Sequence, residues 1–169
     1  MKKNTGFTLL ELLITVALVT IVMAIGIPSM RDFVKNDRLS TQINTLVGHL
    51  AYARSEAVLR HVPVIICASS TLTSCNSTDW AEGWIIFVDN DQNGDLSAGE
   101  DLLRQHQPLT GDNTLVSSAG SVVTYDERGF APNSTGSFSL CDDRGAAFMK
   151  SITISNTGRV RQGGSASCT

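Results

Sequence analysis

The chain reads as an α+β protein: a long N-terminal helix, first transmembrane and then amphipathic, packed on a C-terminal antiparallel β-sandwich head. Three observations predict this. Residues 7–27, FTLLELLITVALVTIVMAIGI, form a mostly apolar run whose one charge is Glu11. Residues 30–60 then carry apolar side chains at helical spacing. Beyond Pro63 the pattern changes to short β-branched and aromatic runs broken by Gly, Asn, Asp and Ser. At 169 residues the chain suits one domain plus an anchor, and 42% apolar content is enough to fill a core. The expected division is residues 1–6 as a leader, 7–29 as a transmembrane helix, 30–61 as an amphipathic continuation, and 62–169 as the head.

The first apolar run, 21 residues, is long enough to cross a hydrocarbon layer of about 30 Å as a helix. A secretory signal places its cleavage site behind the apolar region. Here Lys2, Lys3 and the small Gly6 all precede it. A cut after Gly6 therefore keeps the helix in the mature chain, and the lysines hold the leader in the cytoplasm. Glu11 is costly inside a membrane and is a functional candidate for that reason. The new amine of Phe7 in a neighbouring subunit would neutralise it during packing. The competing reading is a carboxylate tolerated near the interface.

The run G-F-T-L-L-E, followed by an unbroken apolar helix with Pro28, resembles the prepilin signature. The resemblance implies that a prepilin peptidase cuts after Gly6 and methylates Phe7. It also implies that Glu11 helps docking into a filament of other pilins.

Past Pro28, where a kink is expected, Leu39, Ile43, Leu46, Val47, Leu50, Ala57 and Val58 form an apolar stripe. Arg54, Glu56 and Arg60 read as solvated. Pro63 ends the helix. Strands are expected at 62–67, 84–88, 102–105, 114–116, 121–125, 136–140, 151–154 and 159–161. The segments ARSEAVLRHVPVIIC, GWIIFVDNDQNGD and GRVR resemble the FimT/GspH group of minor pilins and pseudopilins over most of residues 1–161. That likeness implies two β-sheets beside the long helix.

Four cysteines without a CxxC pair argue against a zinc ribbon or thioredoxin site, and in an exported chain they read as disulfides. Three pairings are possible. Cys67–Cys75 and Cys141–Cys168 are favoured because each closes a plausible loop; free buried thiols are the alternative.

The net charge of −3 excludes a bulk nucleic-acid coater. Charge is nevertheless segregated: from Arg144 to Thr169 there is no Asp or Glu, while Arg144, Lys150, Arg159 and Arg161 are present. Positions i and i+2 of a strand share a side, so Arg159 and Arg161 could both face one phosphate backbone, and guanidinium forks suit phosphate. The bland reading is an edge strand guarded by basic residues. In FimT-like minor pilins a C-terminal G-R-x-R motif is associated with DNA binding in natural transformation, and Gly158, Arg159 and Arg161 match it. Lys150 and Arg144 join the patch on charge alone.

Residues 89–100, DNDQNGDLSAGE, match a calcium-loop pattern through Asp89, Asp91, Asn93, Gly94, Asp95 and Glu100. The preceding GWIIFV is a strand, so a hairpin turn competes with calcium, and no metal or other cofactor is expected. His49, His61 and His106 are scattered and no enzyme motif is present. Trp80 and Trp84 read as core. The expected function is a minor type IV pilin that binds extracellular DNA for uptake, anchored in the inner membrane with a periplasmic head and later part of the pilus. The alternatives are a type II secretion pseudopilin, or a priming minor pilin without DNA binding.

Overall fold

In a computed structural model, residues 6–164 and 167–168 are described. Most of the expected leader, with Lys2 and Lys3, lies outside them. One helix, α1, runs Leu9–Arg60. Thr8 caps it, its hydroxyl accepting from the Glu11 N–H at 3.2 Å. At the other end His61 has φ 57° and Pro63 follows, which stops helical propagation. The chain divides into two compact units, one ending at Asp37 and one spanning Arg38–Thr169.

In the first unit the large apolar side chains are exposed, from Phe7 through Val34. Its helix is long and apolar enough to cross a membrane. The hydroxyls of Thr15 and Thr20 donate back to the Leu12 and Ala17 carbonyls at 2.9 and 2.8 Å, so neither needs water. Pro28 lies inside the helix and gives up one backbone hydrogen bond there.

The second unit holds its own core. From α1, Leu39, Ile43, Leu46, Leu50, Ala53 and Ala57 are buried in one stripe. Eight strands follow: β1 Val64–Ala68, β2 Trp84–Val88, β3 Leu102–His106, β4 Thr114–Ser117, β5 Val122–Tyr125, β6 Gly136–Cys141, β7 Lys150–Ile154 and β8 Val160–Gln162. They make two antiparallel sheets, ordered β3-β2-β1-β5 and β4-β6-β7-β8. The helix stripe and one face of each sheet share the main core.

β1 and β2 are buried at every position. Alternate residues explain why. Val64, Ile66, Trp84 and Ile86 enter the main core, while Ile65, Cys67, Ile85 and Phe87 form a second cluster on the outer face. Leu72, Leu96 and Val122 cover that cluster. The Cys67–Cys75 disulfide, with Cα atoms 5.6 Å apart, ties the covering loop to β1. Closing so short a loop is worth about 2.6 kcal/mol by chain entropy. Trp80 and Trp84 are fully buried, and each indole N–H is paired: Trp80 to the Gly120 carbonyl and Trp84 to His49 Nδ1, both at 2.9 Å.

Candidate nucleic-acid interface

The C-terminal hairpin is built around one glycine. β7 and β8 pair with Thr153 opposite Arg161 and Ile154 opposite Val160. The turn between them closes by Ser155 N–H to the Arg159 carbonyl at 3.0 Å and Gly158 N–H to the Ser155 carbonyl at 2.8 Å. That closure needs a left-handed residue, and Gly158 has φ 71°. Arg159 therefore belongs to the turn, and the strand begins at Val160 rather than at 159.

Gly158 is buried. A Cβ there would overlap the Gly129 carbonyl oxygen and come within 3.1 Å of Tyr125 and 3.2 Å of Arg54 Nε. The turn is packed against the 126–131 loop, and Ala131 N–H donates to the Asn156 carbonyl at 3.0 Å. Arg54 of α1 donates from Nε to the Gly129 carbonyl at 2.9 Å. Arg128, on the same loop, is 74% exposed and pairs with Asp126 at 2.9 Å. One cation from distant sequence, Arg54, thus meets the GRVR turn. Arg54 reads as solvated from sequence, and nothing in the spacing links it to residue 158.

Arg159 and Arg161 are exposed, and neither has an ion pair among the described residues. β8 is an edge strand, so the edge-guarding reading of these arginines has a geometric basis. The other members of the sequence-derived patch are placed differently. Arg144 pairs with Asp142 at 2.7 Å, with side chains only 11% and 3% exposed, and its guanidinium lies 4.2 Å from the Phe148 ring centre. Its charge is spent inside the head, so it is withdrawn from the patch. Lys150 is exposed but shares strand parity with buried Ile152 and Ile154. Arg161, opposite Thr153, lies on the other face. Gly158 is likewise withdrawn as a contact residue, because it is covered. The Cys141–Cys168 disulfide, with Cα atoms 5.8 Å apart, anchors the chain beyond β8 to β6. The Gly163 carbonyl accepts from Thr153 Oγ1 at 2.7 Å.

Beside the hairpin runs an open groove of about 770 Å³. One wall is a stripe of α1: Val47, Ala51, Arg54, Ser55 and Val58, extended by Leu59. The other is Gly158, Arg159 and Val160. Tyr125, near Arg54, is fully buried, and its hydroxyl has no hydrogen-bond partner among the described residues. Burial pushes that hydroxyl's pKa upward, against the pull of Arg54.

The 89–100 segment connects antiparallel β2 and β3, so its flanks are strands. Carboxylate oxygens of Asp89, Asp91 and Glu100 lie within 4.8 Å of one another, a donor set suited to a hard cation. The same oxygens also hold the loop. Asp89 accepts from Asn93 and Gly94 N–H at 3.1 and 3.2 Å, and Glu100 from Asn90 and Ser97 N–H at 2.6 and 2.9 Å. The Asn93 side-chain oxygen accepts from the Asp95 N–H at 2.8 Å. Burial raises the Asp89 pKa, outweighing the lowering by the Gly94 N–H.

Two of the histidines that are scattered in sequence meet in space. His106 stacks on Trp84 with ring centres 3.9 Å apart, and His49 sits 5.7 Å from His106. Burial lowers both pKa values; at His49, His106 and Arg104 lower it further.

Two family models match the chain. One, described as "Type II transport protein GspH", matches residues 42–158. The other, a prokaryotic N-terminal methylation motif, matches residues 1–27. Among solved structures, the type IV minor pilin FimU of Pseudomonas aeruginosa is similar in fold in two crystal forms. One has a TM-score of 0.59 at 23% identity, covering 78% of this chain and 92% of that one. The other has a TM-score of 0.56 at 23% identity, covering 74% and 92%. No curated protein gives a significant match.

Proposed function

The chain belongs to the GspH family of type IV pilin-like proteins, and from that premise we propose that it is a minor pilin whose C-terminal hairpin binds extracellular DNA for uptake. Family membership implies assembly with other pilins and processing by a prepilin peptidase. Gly6 and Phe7 are then the cleavage and methylation positions, and Glu11 the docking carboxylate. The subunit waits in the inner membrane with its head in the periplasm, and enters the pilus on assembly.

One observation carries the DNA reading. Arg159 and Arg161 stand exposed, without an ion pair among the described residues, in a stretch of sequence free of acids. Contact led by two guanidiniums is sequence-blind and salt-sensitive. Each subunit binds weakly, and several subunits in one filament add avidity.

The test is a duplex titration of the full chain in neutral detergent at several salt concentrations. Two phosphate contacts give a slope of log affinity on log salt near −1.8, falling to about −0.9 in Arg161→Gln. A slope untouched by Arg159→Gln and Arg161→Gln together, or normal transformation by that double variant at normal protein levels, sinks the reading. The second reading, a structural pseudopilin of type II secretion, is favoured by the description of the matching family model. It predicts no DNA binding at any salt concentration.

A further inference from the structure

We propose that the groove between α1 and the β7–β8 hairpin is a nucleobase pocket, so that the site takes single-stranded DNA in preference to duplex. This rests on the reading of Arg159 and Arg161 as phosphate ligands. Three features of the groove carry it.

The first is its chemistry. Val47, Ala51, Val58 and Val160 offer aliphatic walls, and the charged side chains lining it are Arg54 and Arg159, both cationic. Among the described residues no carboxylate lines it. An apolar floor with a cationic rim complements a nucleotide: the flat base leaves water, and the phosphate meets a guanidinium. The second is size. About 770 Å³ falls within the roughly 300–1,000 Å³ of small-molecule pockets. The third is continuity. Arg159 belongs to both the groove and the proposed phosphate site, so a strand held by its backbone presents its bases beside the opening.

Arg54 strengthens the assignment. Its bond to the Gly129 carbonyl holds it in place at the groove, and arginine planes are good partners for unstacked bases. Bases in a duplex are paired and stacked, and must be extruded before a pocket can take them. A duplex therefore engages Arg159 and Arg161 alone, while a single strand engages them and the groove.

The test measures fluorescence anisotropy of the full chain in neutral detergent with three labelled probes of equal length. They are an oligothymidylate, an abasic strand and a duplex. The oligothymidylate is expected to bind about tenfold tighter than the other two, the order of gain from taking one base out of water against aliphatic walls. Filling the groove with the aliphatic double substitution Ala51→Leu, Ser55→Leu should erase that margin and leave duplex affinity unchanged. Unaltered fluorescence of buried Trp80 and Trp84 certifies the fold of the variant.

Equal affinity for all three probes, with Arg159→Gln weakening each, overturns the pocket and leaves the phosphate reading standing. Absence of binding to every probe overturns both. A double variant that keeps the single-strand margin but changes the protein's self-association also overturns the pocket, and makes the groove a contact between subunits.

Discussion

Replacing Gly158 by alanine separates the two halves of the GRVR motif. The perturbation adds one methyl group at φ 71°, where an L-residue costs about 1–2 kcal/mol. The methyl also overlaps the backbone oxygen of Gly129, so the turn must shift away from the 126–131 loop. One hydrogen bond opposes that shift, Ala131 N–H to the Asn156 carbonyl at 3.0 Å. It is worth about 1 kcal/mol, which brings the total to about 2–3 kcal/mol. For a head of this size that lowers Tm by about 7–11 °C. The assay is thermal unfolding followed by the emission of Trp80 and Trp84, both fully buried. Gly99 supplies the control. Its φ is 96° but a Cβ there meets nothing within 4 Å, so Gly99→Ala pays the backbone term alone. Equal Tm shifts for the two variants would refute the packing argument. A Gly158→Ala shift under about 2 °C would refute the backbone argument as well.

Two further outcomes follow from buried polar groups. Asp142→Ala removes the carboxylate paired with the Arg144 guanidinium, whose side chain is 11% exposed, and should cost up to about 3 kcal/mol in chemical denaturation; a cost near zero would show that the pair is solvated. The His49–His106 pair sets a pH dependence. Burial depresses both folded pKa values below the ordinary value of about 6.5. Their contribution is therefore complete above that value and is lost as pH falls through the folded pKa values, because the unfolded chain takes up protons first. The urea midpoint should fall between about pH 7.5 and pH 5.5, and His106→Phe should flatten the fall; an unchanged slope in that variant would remove the pair as its source.

The helix and strands were legible because they depend on local pattern. Leu39, Ile43, Leu46 and Leu50 repeat at helical spacing, and the runs at β1 and β2 are apolar throughout because both faces are covered. The candidate site was legible only in part. Arg159 and Arg161 stand out by charge segregation. Arg144 misleads, because counting charges treats an arginine as free when its partner sits two residues upstream. Lys150 could have been assigned to the opposite face from strand parity alone. The approach of Arg54 and Gly129 to Gly158, and of His49 to Trp84 and His106, comes from tertiary packing across long sequence separations, and no local pattern encodes it.

The two disulfides differ in when they can form. Cys67 and Cys75 are eight positions apart, so that bridge can close as soon as β1 and its following loop have emerged. Cys141 must wait for Cys168, 27 positions downstream and beyond β8. A chain made from its N-terminus outward therefore locks the outer cover of the first sheet early and secures the GRVR hairpin late. Maturation of the hairpin marks the end of the head's biogenesis, and until Cys168 arrives Cys141 is left a thiol while both upstream cysteines are already joined to each other.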